Sequence, residues 1–123
     1  MRALVIDDSR AMRSILTRQL QDLDFDVAQA FDGRDALDLL DTGYMPDVAL
    51  VDWNMPRMDG LTFIKAVRTR DAMKDVSLMM VTTESEHGNI VRALAAGAHE
   101  YVIKPFTSEV IAEKLALLGL VRV

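Results

Sequence analysis

The sequence predicts an α/β fold: a five-stranded parallel sheet, doubly wound by helices on both faces. Two observations carry this expectation. Five short apolar runs recur along the chain, and an amphipathic segment of helical period follows each of them. Strand–helix alternation repeated five times builds a parallel sheet covered on both sides, and right-handed crossovers restrict it to doubly wound orders. No internal repeat or linker interrupts the 123 residues, so a single domain over 1–123 is expected, with no attached output domain.

The runs are Ala3–Ile6, Phe25–Ala30, Val48–Val51, Leu78–Val81 and Tyr101–Ile103. Four are too short for helices and rich in Val, Leu or Ile, which is the pattern of buried strands. The second alternates polar and apolar residues, as a strand at the sheet edge does. Behind Ser9, a helix N-cap residue, Met12, Ile15, Leu16, Leu20 and Leu23 fall at helical spacing. Ala36, Leu37, Leu39 and Leu40 mark the second helix after Asp32-Gly33, and Leu61, Ile64 and Val67 the third. Ile90, Val91, Leu94 and Ala95 mark a fourth, with Gly97 as its left-handed C-cap. Val110, Ile111, Lys114, Leu115 and Leu118 mark the last. Gly60 reads as a turn residue with positive φ, Met55 and Met58 as loop packing, and Asp35, Asp38 and Asp41 as a solvated helix face.

Composition excludes several functions. Half the residues are hydrophobic, enough for an ordinary core. A net charge of −5 argues against nucleic acid as a partner. No apolar run reaches the roughly 18 residues a membrane span needs. The N-terminus turns acidic after a few apolar residues, unlike a secretory signal, so a cytoplasmic protein is expected. With no cysteine, disulfides, thiolate catalysis and Cys-ligated zinc are all removed. The two histidines, His87 and His99, fall in separate elements and do not form a metal site.

In doubly wound sheets ligands sit beyond the carboxyl ends of the strands. Asp7-Asp8 follow the first strand, Asp52 the third, Thr82-Thr83 the fourth and Lys104-Pro105 the fifth. Each alone has an ordinary explanation, as a helix cap or a solvated loop residue. Together they place three carboxylates and one lysine in one pocket. Hard oxygen ligands of this kind suit Mg2+, and an ionised carboxylate can attack phosphorus to form an aspartyl phosphate. Lys104 then offsets the donor's charge and Thr82 offers a hydroxyl to a phosphoryl oxygen. The crowded carboxylates should repel one another, so replacing either Asp7 or Asp8 by Asn is expected to stabilise the metal-free chain.

The segments VIDDSRAMRSIL, DWNMPRMDG, VTTE and YVIKPF resemble the response-regulator receiver family of two-component signalling, across essentially the whole chain and most nearly its stand-alone chemotaxis members. The resemblance implies the flavodoxin-like strand order 2-1-3-4-5. It implies Asp52 as phosphoacceptor, Asp8 as direct Mg2+ ligand, Asp7 as a ligand through water, and the backbone carbonyl of Asn54 as a further ligand. It implies Lys104 as the phosphoryl-binding cation, Thr82 and Tyr101 as the switch pair, a cis Lys104–Pro105 peptide, and Asn54 and Glu84 as the residues that tune dephosphorylation. Trp53 should pack beside the pocket. The implied partners are a histidine kinase as phosphodonor and a protein target on the face of the fourth helix, fifth strand and fifth helix, with the chain a monomer. Glu84-Ser85-Glu86-His87 at the expected start of the fourth helix departs from the lysines of many motor-binding relatives.

Three other readings share this frame. A phosphorelay intermediate would hand the phosphoryl group on to a histidine phosphotransfer protein. An aspartyl-phosphate hydrolase of similar fold wants a second Asp two residues after the nucleophile, where this chain has Asn54. A flavin carrier would be coloured. The phosphate-loop and dinucleotide glycine motifs are both missing.

Overall fold

The computed structural model describes residues 1–121. Its elements run β1 (Arg2–Ile6), α1 (Arg10–Gln21), β2 (Asp26–Ala30), α2 (Gly33–Asp41), β3 (Val48–Val51), α3 (Gly60–Arg68), a 3-10 turn (Asp71–Met73), β4 (Ser77–Thr82), α4 (His87–Ala96), β5 (Glu100–Ile103) and α5 (Ser108–Leu117). The sheet is parallel throughout, in the order β2-β1-β3-β4-β5. β2 is an edge strand, as its alternating pattern requires. β1 and β3 are central and covered on both sides, which is why they read as unbroken apolar runs.

Side chains alternate across a strand, and this sorts the core into two halves. Leu4, Ile6, Ala49, Val51, Leu78 and Met80 face α2, α3 and α4, where Leu37, Phe63, Ile64 and Ala93 meet them. Ala3, Val5, Val48, Leu50, Met79, Val81 and Val102 face α1 and α5, against Leu16, Leu20, Ile111 and Leu115. Fully burying one such side chain is worth roughly 1.5–3 kcal/mol, so a one-residue slip of either central strand would exchange the two halves and is strongly disfavoured.

The same alternation, continued past the strand ends, assigns the polar residues. Asp7 extends the Ala3/Val5 row, Asp52 the Val48/Leu50 row, and Lys104 follows Val102, so all three lean to the α1–α5 side. Thr82 extends the Leu78/Met80 row and Tyr101 packs with the other half of the core, beside α4. Because Ile6 pairs with Val51 in register, Asp7 and Asp52 emerge side by side.

Local signals explain most helix starts. Ser9, Asp32, Asp59 and Thr107 each accept a hydrogen bond from the N–H three residues on. Gly97 closes α4 at φ +124°, a positive value but wider than the left-handed cap the sequence indicated.

Three expectations need correction. α4 begins at His87, leaving Glu84, Ser85 and Glu86 in the loop before it. Its apolar stripe is also displaced: Val91 and Leu94 are 49% and 44% exposed, while Ala93 is the residue buried against the core. A short side chain at the contact lets the helix sit close, and the larger apolar residues are left outside. Finally, Gly60 does not adopt positive φ. It opens α3, with its N–H donating to the Trp53 carbonyl at 2.8 Å, and a Cβ there would press on the carbonyl oxygen of Asp52. Close backbone approach is the requirement, not handedness.

Candidate functional site

Asp7, Asp8 and Asp52 converge at the carboxyl end of the sheet. Each offers a carboxylate oxygen, and all three atoms lie within 4.8 Å of one another. Asp7 and Asp52 are buried, whereas Asp8 is exposed. Lys104 Nζ bridges the two buried ones, at 2.8 Å from Asp7 Oδ2 and 3.4 Å from Asp52 Oδ2. The Lys104–Pro105 peptide is cis. The donor set is all carboxylate oxygen with no sulfur or imidazole, the chemistry a hard, oxygen-binding ion selects. These residues therefore fit Mg2+.

Both carboxylate oxygens of Asp52 are engaged. Its Oδ1 accepts from the Trp53 N–H at 2.8 Å, and its Oδ2 faces Lys104. Burial pushes its carboxyl above the ordinary Asp value; the Thr82 hydroxyl, Lys104 and the Trp53 N–H oppose the rise, and the Asp7 charge reinforces it. Thr82 is fully buried at the end of β4, where its Oγ1 accepts from the Glu84 N–H at 3.3 Å. The Tyr101 hydroxyl donates to the Glu84 carbonyl at 2.6 Å, linking β5 to the β4–α4 loop. Burial pushes that phenol up to about 12, with the Glu84 and Asp52 charges adding to it. The Glu84 carboxyl is held below its usual range by the Glu86 N–H and then by Asn89, so it is engaged with the start of α4. Asn54 is exposed on the loop after Asp52. Trp53 is buried beside the site, with the Arg92 guanidinium of α4 over its ring at 5.9 Å.

The two neighbouring aspartates differ more than the sequence implied. Asp7 is fully engaged: Oδ1 accepts from the Ser9 N–H at 2.9 Å and Oδ2 from Lys104. Asp8 makes no side-chain hydrogen bond or ion pair among the described residues, and Ser9, not Asp8, caps α1. The expectation for Asp7→Asn is therefore reversed. An amide there must turn its NH2 donor toward either Lys104 or the Ser9 N–H, both of them donors, and melting should fall by the equivalent of about 1–3 kcal/mol. Asp8→Asn should still raise metal-free melting, by less than about 1 kcal/mol because the group is exposed, and should blunt the stabilisation that Mg2+ gives the wild type. Calorimetry with and without Mg2+ checks both signs; a lower metal-free melting temperature for Asp8→Asn would show that the carboxylates are not crowded.

Three arginines were not legible as parts of this frame. Arg57, at φ +61° in the β3–α3 loop, grips the buried Asp32 by two bonds of 2.7 and 3.1 Å and so ties that loop to the start of α2. Arg13 reaches from α1 to the Asp7 carbonyl. Arg68 binds the carbonyls of Gly97 and Val76 at the far end of the sheet. Arg57 and Arg68 join segments far apart in sequence, and Arg13 reaches back across the β1–α1 turn; none of these contacts leaves a periodic signal.

Residues 3–116 match the family described as the response regulator receiver domain. The chain belongs to that family. It is 40% identical over 119 residues to chemotaxis protein CheY1 of Helicobacter pylori, covering 96% of each chain. It is 41% identical over 116 residues to the chemotaxis protein CheY of Pseudomonas aeruginosa, covering 94% of this chain and 93% of the relative. Among solved structures, chemotaxis response regulator CheY4 of Vibrio cholerae superposes with a TM-score of 0.88 at 35% identity, over 95% of this receiver and 97% of that chain. The strand order 2-1-3-4-5 that the family resemblance implied is the order observed. Among the described residues, no helix is long and apolar enough to cross a membrane.

Proposed function

We propose that the chain is a phosphoacceptor in two-component chemotaxis signalling, taking a phosphoryl group from a histidine kinase onto Asp52. The single observation that supports this best is the bridging lysine. Lys104 sits between a buried Asp7 and a buried Asp52, while Asp8 adds a third oxygen within 4.8 Å. A carboxylate so placed has a cation beside it and a cluster of hard oxygen donors next to it, which phosphoryl transfer requires.

In the proposed reaction an Asp52 oxygen attacks phosphorus, the P–N bond of the donor phosphohistidine breaks, and the leaving imidazole takes up a proton from water. The product is an acyl phosphate. Asp7, Asp8, Asp52 and the Asn54 carbonyl would hold Mg2+, which when bound neutralises phosphoryl oxygens. Lys104 holds a further phosphoryl oxygen, and Thr82 turns its hydroxyl toward another. That turn competes with the bond Thr82 makes to the Glu84 N–H, so the β4–α4 loop follows, and Tyr101 follows through the Glu84 carbonyl. Output is then a shift between two states. The exposed Val91, Leu94 and Ile103 on α4 and β5 supply apolar area for a protein target on the α4–β5–α5 face. The named site residues all come from one chain, which supports a monomer acting as a signalling protein that catalyses its own phosphorylation and loss of phosphate.

The test is incubation with acetyl phosphate and Mg2+ followed by intact-mass measurement. One added phosphoryl group with Mg2+, and none when the metal is chelated beforehand, supports the reading; no addition in the presence of Mg2+ refutes it. Lifetime is a separate expectation. Asn54 and Glu84 lie two residues beyond Asp52 and Thr82 and are polar, the first exposed and the second half-buried, and in this reading they leave water a path to the acyl phosphate. The phosphoryl group should therefore be short-lived, and exchanging both residues for bulky or basic ones should slow its loss about tenfold or more, an order typical of acid–base and water-positioning groups. Decay at the wild-type rate in that double variant would count against this.

A further inference from the structure

Asp8 poses a placement problem. It is the exposed member of the carboxylate cluster, and no side-chain bond among the described residues orients it. Asp7 is restrained at every polar atom. Its N–H donates to the Ala30 carbonyl at 3.2 Å, its carboxylate is held by Ser9 and Lys104, and its carbonyl oxygen accepts from Arg13 Nη1 at 2.7 Å. The last of these bears on Asp8. A peptide unit is planar, so a clamp on the Asp7 carbonyl oxygen fixes the plane that ends at the Asp8 Cα and holds the Asp8 Cα in place, leaving only the φ and χ1 of Asp8 to set where its carboxylate lies.

Arg13 is itself held firmly. Its Nε donates to Gln29 Oε1 at 3.2 Å, and Gln29 Nε2 donates in turn to Thr17 Oγ1 at 2.9 Å. Its guanidinium carbon stands 5.9 Å from the centre of the Phe31 ring. A planar fork anchored by one nitrogen and stacked near a ring can present another nitrogen in one direction only; a flexible ammonium cannot do both.

We propose that Arg13 is a positioning residue for divalent-cation binding, acting through the Asp7 carbonyl to aim Asp8. The proposal rests on reading Asp7, Asp8 and Asp52 as the Mg2+ cluster. Residues that orient metal ligands without touching the ion change metal affinity by about 10–100-fold, and the lower end applies here because the clamp acts through the backbone.

The experiment is Mg2+ titration of the full chain, followed by Trp53 fluorescence and, independently, by the Mg2+-dependent rise in melting temperature. Arg13→Ala should weaken Mg2+ binding about tenfold, and Arg13→Lys by nearly as much, since charge without the fork does not restore the clamp. Combined with Asp8→Asn, Arg13→Ala should weaken binding no further than Asp8→Asn alone. Gln29→Leu, which frees the anchor of Arg13 on an exposed edge strand, should shift affinity in the same direction and covers the case in which Arg13→Ala does not fold. Binding within twofold of wild type in Arg13→Ala, whatever its melting temperature, overturns the proposal and leaves Arg13 a packing residue. Equal weakening in wild-type and Asp8→Asn backgrounds overturns the route through Asp8. If wild type fails to bind, or Asp8→Asn binds as well as wild type, the metal reading fails first and the proposal falls with it.

Discussion

Asp52→Asn should accept no phosphoryl group from acetyl phosphate or from a phosphorylated kinase, while melting at or above the wild-type temperature. The loss is expected to be complete because the amide has no ionised oxygen to attack phosphorus, and on the proposed reading the nearby Asp8 carboxylate is taken up by the metal. Asp7 is turned into Lys104 and the Ser9 N–H, and Thr82 is a neutral hydroxyl. The stability sign follows from the pKa. Burial raises the Asp52 carboxyl in the folded chain, with the Asp7 charge adding to it. A carboxyl raised on folding binds its proton more tightly in the folded state, so ionising it as pH rises above the unfolded value costs stability. Asparagine removes that cost. Intact mass and a thermal melt at neutral pH read both halves. Labelling of the Asn variant at the wild-type stoichiometry would sink the assignment of Asp52; a melt several degrees below wild type would show that Lys104 and Thr82 already compensate its burial.

The parts of this site set by a short period were legible in the sequence. Strand alternation and the rule that ligands gather at carboxyl ends brought Asp7, Asp52, Thr82 and Lys104 to one end of the sheet, and the pairing of Ile6 with Val51 makes the two aspartates neighbours. Ser9 declared its helix by capping chemistry; Asp32 caps the next one in the same way. Legibility failed in two physical circumstances. One is the helix whose contact is made by a small residue: Ala93 carries no hydrophobic signal stronger than Val91 or Leu94, yet closeness of approach, not side-chain size, decides which face is inward. The other is the arginine contact without a period. Arg57 and Arg68 bind a carboxylate and a carbonyl far along the chain, and Arg13 binds a carbonyl just before its own helix. Asp7 and Asp8 are adjacent and chemically identical, and only the contacts with Lys104 and Ser9 tell them apart.

Gly60→Ala should be the most damaging small substitution near the site, and the reason is distance and not conformation. Gly60 has no positive φ to lose. An added Cβ would press on the Asp52 carbonyl oxygen and lie 2.9 Å from the Asp52 carbonyl carbon and 3.1 Å from the Trp53 Cα. All three obstacles are backbone, at the end of a central strand, so no side chain can swing aside. Either α3 lifts from the sheet, breaking the Gly60 N–H bond to the Trp53 carbonyl, or the end of β3 moves and carries Asp52 with it. Overpacking in a core costs about 1–3 kcal/mol where side chains can yield; here about 3 kcal/mol or more is expected. For a chain of this size that lowers melting by more than roughly 10 °C. Whatever fraction folds should also transfer phosphoryl groups slowly, since misplacement of about 1 Å costs about a hundredfold in rate. Gly88→Ala is the matched control. It lies in the first turn of α4, and a Cβ there meets nothing within 4 Å. Alanine favours the helix over glycine by about 0.5–1 kcal/mol, so this variant should melt at or above wild type and accept phosphate normally. A Gly60→Ala protein that melts within about 1 kcal/mol of wild type would mean that α3 and β3 can part without cost, and that the tight seat of Asp52 is not what this glycine protects.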